Sequence, residues 1–187
     1  MKFDDVVEKR QSRRRYAGKK VDWKDVSEVL EAGRLVPMAG NICTLRFIVV
    51  FDSKQIKQIA EAAGQDFIAN VSWLIAVCSE NKRIENAYGE RALKYSRQQA
   101  GATIENMLLK ITDLGLASCW IGDFDDNAVK NILVIPQDIE VEAIIPIAYG
   151  TKFVGEAKRK KVALNDITYF DRWGQRLMKP LNRIEER

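Results

Sequence analysis

Leu114–Gly150 reads LGLASCWIGDFDDNAVKNILVIPQDIEVEAIIPIAYG, and the rest of the chain is arranged around it. Gly115 can take the left-handed turn that a side chain resists, so it ends a helix arriving from the N-terminal side. Ala117 to Ile121 is a short apolar run bounded by glycines and predicts a buried strand. Gly122-Asp123-Phe124 breaks it, and Asp125 is a good N-cap for a helix through Leu133. Pro136 closes that helix, and Val141–Ala148, mostly apolar and β-branched, predicts another strand. A strand, a tight loop and a helix start place backbone N–H groups where a ligand can lie against them. The same order of elements also fits a βαβ unit of an ordinary core.

Before this stretch, Ile104, Met107, Leu108, Ile111 and Leu114 recur at intervals of three and four. They predict a long helix over Gln98–Leu114 with one buried stripe, the central spine, in which Met107 serves packing. Glu80–Arg97 is strongly charged and reads as surface, with YGER as a turn entering the spine. Arg46–Phe51 and Ser72–Cys78 predict strands, with Cys78 a small core residue. Ser53 is the expected cap of a helix that turns Ile56, Ile59, Ala60 and Ala63 inward and ends at Gly64. Asp22 begins a helix with Trp23, Val26, Leu30 and Val36 on one face, and Asp4 caps a first short one. Val36–Thr44, with Pro37 and Gly40, is a turn carrying Asn41 at its tip.

The totals bound the function. A chain of 187 residues, 47% apolar and 30% charged, fits one globular domain, 1–187. No apolar stretch approaches the ~20 residues of a membrane span, and MKFDDVVEKR has no signal-peptide character. Cys43, Cys78 and Cys119 lie far apart, which argues for a reducing cytoplasm and against a disulfide framework. There is no histidine. That excludes Ser-His and Cys-His nucleophilic sites, imidazole bases and nearly all zinc sites of usual ligand type. An enzyme of this composition leaves the chemistry to a bound cofactor, with no catalytic side chain and no metal expected.

The net charge of +4 hides a polarised chain: residues 1–20 hold 8 Lys/Arg against 3 acids, and residues 151–187 hold 10 against 5. Around Ser12, the run Lys9–Tyr16 (KRQSRRRY) gathers Arg10, Arg13, Arg14 and Arg15. Guanidinium forks with a short hydroxyl suit a phosphate, through several charge-assisted hydrogen bonds in a fixed array. A solvated charge run and a basic arm for nucleic acid are the other readings, and Tyr16 alone gives the latter thin support. The tail adds AKRKK and ITYFDRW, whose three aromatics call for burial against the same domain or across a subunit interface.

Five segments in order resemble the FMN-dependent nitroreductase family, its SCWIG-type subgroup in particular, over about Asp4 to Gly174. They are Arg10–Tyr16 (RQSRRRY), Pro37–Phe47 (PMAGNICTLRF), Leu114–Asp125 (LGLASCWIGDFD), Ile144–Gly150 (IIPIAYG) and Phe170–Gly174 (FDRWG). The resemblance implies an α+β fold, a mixed and mainly antiparallel sheet surrounded by helices, in an intertwined homodimer with C-terminal segments exchanged. It implies bound FMN, NAD(P)H as reductant, and nitroaromatic or quinone-like acceptors served in a ping-pong cycle, without nucleic acid or membrane as partner. Arg10, Gln11 and Ser12 would meet the FMN phosphate or ribityl chain. Arg14 would lie at the pyrimidine edge, where a cation stabilises the charge of the reduced ring. Gln65 would face the same ring, and Ile121 and Gly122 would offer backbone near N5. Pro37, Met38, Ala39 and Asn41 would come from the partner subunit, and Arg159 and Lys161 would complete the phosphate site. Met38, Cys43 and Leu45 depart from the family's usual serine, glutamine and tryptophan and alter the wall near the substrate. Reductive dehalogenation and flavin-modifying chemistry on the same fold, and a non-catalytic flavin carrier, are the alternatives.

Overall fold

Five consecutive buried apolar side chains, Leu74–Cys78, lie in the middle strand of the molecule. A strand can be apolar on both faces only if both faces are covered. In a computed structural model describing residues 1–151 and 162–176, β2 (Leu45–Val50), β3 (Trp73–Glu80) and β4 (Ile139–Ile147) form an antiparallel sheet in the order β2-β3-β4. One face packs on α3 (Ser53–Ala62) and α6 (Asp126–Leu133), with Leu74, Ala76, Cys78 and Ile144 meeting Ile56, Ile59 and Val129. The other packs on α2 (Trp23–Arg34) and α5 (Ala92–Asp113), where Ile75, Val77, Ile145 and Ile147 meet Val26, Val29, Ile104 and Met107. Gly33 permits the close α2–α5 approach, since a Cβ there would lie 2.8 Å from Met107 Cγ. The remaining α-helices and strands of this body are α1 (Phe3–Lys9), α4 (Lys82–Tyr88), and the short pair β1 (Tyr16–Ala17) and β5 (Tyr149–Gly150), with 3-10 turns at Ala39–Asn41, Asp66–Ile68 and Gly89–Arg91.

Contacts divide the chain into this body, Met1–Lys152, and a C-terminal piece, Phe153–Arg187. Within the latter, α7 (Leu164–Ile167) precedes a turn in which the Tyr169 and Trp173 rings lie 4.8 Å apart.

The fold is the expected α+β arrangement, with local differences. Ala117–Ile121 is not a regular strand. Ala117 pairs with Ala148 and Ile121 with Ile144, both antiparallel, so the βαβ alternative does not hold. That register sets Cys119 opposite Pro146, which has no N–H to close the middle of the ladder. α6 is capped by Asp125, whose carboxylate accepts from Ala128 N at 2.9 Å, and is closed by left-handed Val134, before Pro136. Asp52 caps α3, one residue before the expected Ser53, and no side chain caps α1, where Asp4 lies in the first turn. Trp23 is 52% exposed, and Val36, beyond the end of α2, packs on the same core from the following loop; the buried face of the helix runs through Val26, Val29 and Gly33. The charged segment Glu80–Arg97 holds α4 and the first turns of α5.

Candidate functional site

After α1 the chain runs extended along the outer edge of 117–121. Ser12 bridges Ser118 in parallel, and Arg13 N donates to Ser118 O at 2.8 Å. It then enters β1, where Tyr16 pairs with Gly150. Gly150 packs closely here: a Cβ would meet Ala117 Cβ at 3.2 Å and Arg13 Nη1, the movable end of its side chain, at 2.7 Å. An extended segment alternates its faces. Ser12 and Arg14 are exposed, while Gln11 and Arg13 are half-buried. Arg10, Gln11 and Arg13 line a depression of about 390 Å³ beside Leu108 and Ile111 of α5 and the Gly115–Ser118 turn. Arg10 is only 14% exposed, its Nε 3.2 Å from Glu105 Oε1. The edge therefore carries cations and hydroxyls on two sides of one strand-like segment.

Two contacts bring further predicted residues to this end of the sheet. Gln65 follows Gly64, whose φ is +58°, and leads to Phe67, whose ring lies 6.0 Å from that of Tyr16. Asp125 N donates to Ala62 O at 2.9 Å, tying the Gly122–Asp125 loop to the end of α3. Ile121 is buried, its N–H and C=O both spent on Ile144, while Gly122 is exposed. Trp120, which no single-residue reading selected, is 42% exposed, and a Cβ on Gly122 would sit 3.6 Å from its Nε1. Ser118 is a second omission: its Oγ is buried without a hydrogen-bond partner among the described residues. Tyr16 donates from its hydroxyl to Arg13 O at 2.7 Å. Burial, and then repulsion from Cys119, push its phenol well above the ordinary range against the opposing pull of Arg14. It is a fixed donor and not a base.

The other predicted residues lie apart. Pro37, Met38 and Ala39 line a depression of about 430 Å³ with Tyr95, Gln98, Gln99 and Ala102 of α5, and share no lining residue with the Arg10 depression. Gly40 and Asn41 both have left-handed backbone, φ +56° and +57°. Beyond them, Gln99 Oε1 accepts from Thr44 N at 2.9 Å and Thr44 Oγ1 at 2.6 Å. Cys43 is exposed, whereas Leu45 is buried in the core against α2 and α5, so of the three departures it is not a wall of any open surface. Arg159 and Lys161 lie outside the described residues. No group of acids and cysteines suited to a metal ion occurs among the described residues.

The chain matches the Nitroreductase family over residues 7–79 and 57–149, ranges that take in the basic edge, the Pro37–Asn41 loop and the SCWIG run. This protein belongs to the nitroreductase family. A protein of Archaeoglobus fulgidus named "Putative NADH dehydrogenase/NAD(P)H nitroreductase" is 31% identical over 150 residues, 77% of this chain and 83% of that one. An iodotyrosine deiodinase of Thermotoga neapolitana is 24% identical over 161 residues, 78% of this chain and 87% of that one. The fold matches that of an FMN-dependent nitroreductase from Clostridium difficile R20291, with a TM-score of 0.74 and 23% identity over 90% of this chain and 98% of that one. As a nitroreductase-family member the protein is an oxidoreductase. Among the described residues no helix is long and apolar enough to cross a membrane.

Proposed function

We propose that this family member binds FMN and uses NAD(P)H to reduce nitroaromatic or quinone-like acceptors. The observation that carries the reading is the edge where Ser12 bridges Ser118, with Ser12 and Arg14 exposed on it and the partner run continuing to exposed Trp120 and Gly122. Its groups fit the cofactor: a hydroxyl and guanidinium forks for a phosphate, a cation for an electron-rich ring edge, and open backbone at Gly122. Arg10, Gln11 and Ser12 take the phosphate and ribityl end. Arg14 and Gln65 take the pyrimidine end, and Gly122, next to the buried Ile121, the centre. When bound there, FMN supplies hydride-transfer chemistry, for which the histidine-free chain has no substitute. The protein orients, supplies charge and excludes water, and donor and acceptor occupy one slot in turn, a ping-pong order.

In this reading the protein is a homodimer, and Pro37, Met38, Ala39 and Asn41 of one protomer complete the site of the other. Two features support it. The Pro37–Ala39 depression is separate from the Arg10 depression of the same chain. An apolar groove of about 440 Å³ also runs past Phe3 and Leu35, exposed by 72% and 62%. Three free cysteines fit a cytoplasmic setting, and no nucleic acid or membrane is needed. The deiodinase relative favours a second reading, reductive dehalogenation, with Met38 and Cys43 as the residues of altered specificity.

Flavin content of purified Arg10→Ala and Arg14→Ala tests the site. Both lose most of their FMN relative to wild type if the assignment holds, and unchanged content in both contradicts it.

A further inference from the structure

The loop at Met38–Asn41 is bent by two successive left-handed residues, and one side chain from a different part of the chain rests on the bend. Glycine takes this conformation freely, and asparagine with little strain. The turn is closed by Asn41 N to Met38 O and Ile42 N to Ala39 O, both 3.1 Å. Above it stands Tyr88, the last residue of α4. A Cβ built on Gly40 would lie 2.5 Å from Tyr88 Oη and 3.3 Å from its Cζ, so the phenol edge rests on a bare Cα. Tyr88 meets Tyr95 edge-on, ring centroids 5.1 Å apart at 83°, and Tyr95 lines the depression beside Pro37–Ala39. The two tyrosines bracket the bend, one on Gly40 and one along the approach to it. None of the five motif segments includes either.

We infer that Tyr88 is a positioning residue for the Met38–Asn41 loop: its ring edge on Gly40 sets where that loop's backbone lies against the flavin. This rests on the proposal that the loop faces FMN across the dimer. The ring occupies the volume that any side chain at residue 40 would need, so the glycine and the tyrosine act as a pair. Tyr88 touches neither cofactor nor substrate in this role.

The test is FMN titration of full-length apoprotein, with the thermal midpoint of each apoprotein measured beside it. Variants are Tyr88→Phe, Tyr88→Ala, Gly40→Ala and the double variant Gly40→Ala/Tyr88→Ala. Tyr88→Phe loses the nearest atom, the hydroxyl, but keeps ring carbons at 3.3 and 3.4 Å from a Cβ at residue 40, and binds FMN with an affinity between wild type and Tyr88→Ala. Tyr88→Ala binds about tenfold more weakly than wild type, as expected for residues coupled by contact. Gly40→Ala also weakens binding, and the double variant binds no worse than Gly40→Ala alone, because removing the phenol makes room for the methyl. The inference is overturned if Tyr88→Ala lowers only the thermal midpoint and leaves the FMN Kd unchanged. It is equally overturned if the two single losses multiply in the double variant. Should Tyr88→Ala not fold, Tyr88→Leu, too short to reach residue 40, takes its place: weakened FMN binding supports the inference and an unchanged Kd overturns it. Wild-type apoprotein that takes up no FMN contradicts the proposed function itself, a result distinct from any failure among the variants.

Discussion

Gln99 and Asn106, two helical turns apart on α5, hold opposite ends of one loop. Asn106 Nδ2 donates to Leu35 O at 3.1 Å and to Ala32 O at 3.3 Å, where α2 ends. Gln99 Oε1 takes both the N–H and the hydroxyl of Thr44, where β2 is about to begin. Between them lies the Pro37–Asn41 bend, so α5 fixes the span and direction of a loop with little regular structure of its own. The same helix carries Glu105, the partner of Arg10. Both proposed half-sites therefore hang from one rigid element, which is how loop residues are held to functional tolerance.

Gln99→Leu preserves much of the side-chain volume but leaves Thr44 N, on a fully buried residue, without its acceptor. Against this, Gln99 Nε2 has no partner among the described residues, and its removal offsets part of the loss. The net cost is about 1–2 kcal/mol, read as a lowered urea midpoint. A variant as stable as wild type would mean that the Thr44 contact does not hold the loop.

Gln99 also shows why the sequence was legible in some places and not in others. The apolar stripe of Ile104, Met107, Leu108 and Ile111 marks α5 from within the chain, but its earlier turns bury Ala92, Ser96, Gln99 and Thr103, a largely polar stripe. A count of apolar residues starts the helix too late for that reason. α4 escapes detection because Ile84 is its one buried residue. The strand-like run at 117–121 is broken by Pro146 of another element. The basic edge and the SCWIG run were readable because each is a contiguous motif. The supports were not, since Gln99–Thr44 and Asn106–Leu35 join residues 55 and 71 positions apart.

Val134 has φ +55° and ψ +44° and is 87% exposed at the end of α6. A β-branched residue is strained there, with no packing to compensate. Val134→Gly raises stability by about 1 kcal/mol, measured as a higher thermal midpoint. A lower midpoint would show that the exposed side chain makes a contact that outweighs its backbone cost.

The α2–α5 joint is pH-sensitive. Lys110 Nζ lies 2.8 Å from Glu28 and 3.7 Å from Asp113, which also receives the Met1 ammonium at 2.7 Å. The hydrogen bond from Lys110 lowers the Glu28 carboxyl, that from Met1 lowers the Asp113 carboxyl, and the bond to Glu28 raises Lys110. Lowered carboxylates stabilise the fold fully above their ordinary range, near pH 4, and the contribution fades as pH falls through the folded values. The raised lysine contributes fully below about pH 10 and fades above it. Stability is thus flat between these limits, and Glu28→Gln flattens part of the acid limb in a urea-midpoint profile at low salt. An unchanged acid limb would remove Glu28 from the account.

The thiols should separate cleanly. Cys43 is exposed, Cys119 is 2% exposed, and burial, with repulsion from Glu142, pushes the Cys78 thiol up to about 11. Native protein at pH 8 then presents one rapidly reacting thiol to a disulfide reagent, and denatured protein three. Loss of the fast phase in Cys43→Ser checks the assignment; two fast thiols would contradict the burial of the others.

The most direct test of the central claim is the visible spectrum of the purified protein after saturation with FMN, gel filtration, and anaerobic addition of NADH and NADPH in turn. The account predicts a retained flavin spectrum that bleaches with at least one nucleotide and returns when a nitroaromatic or quinone is added. A protein that leaves the column colourless would contradict it.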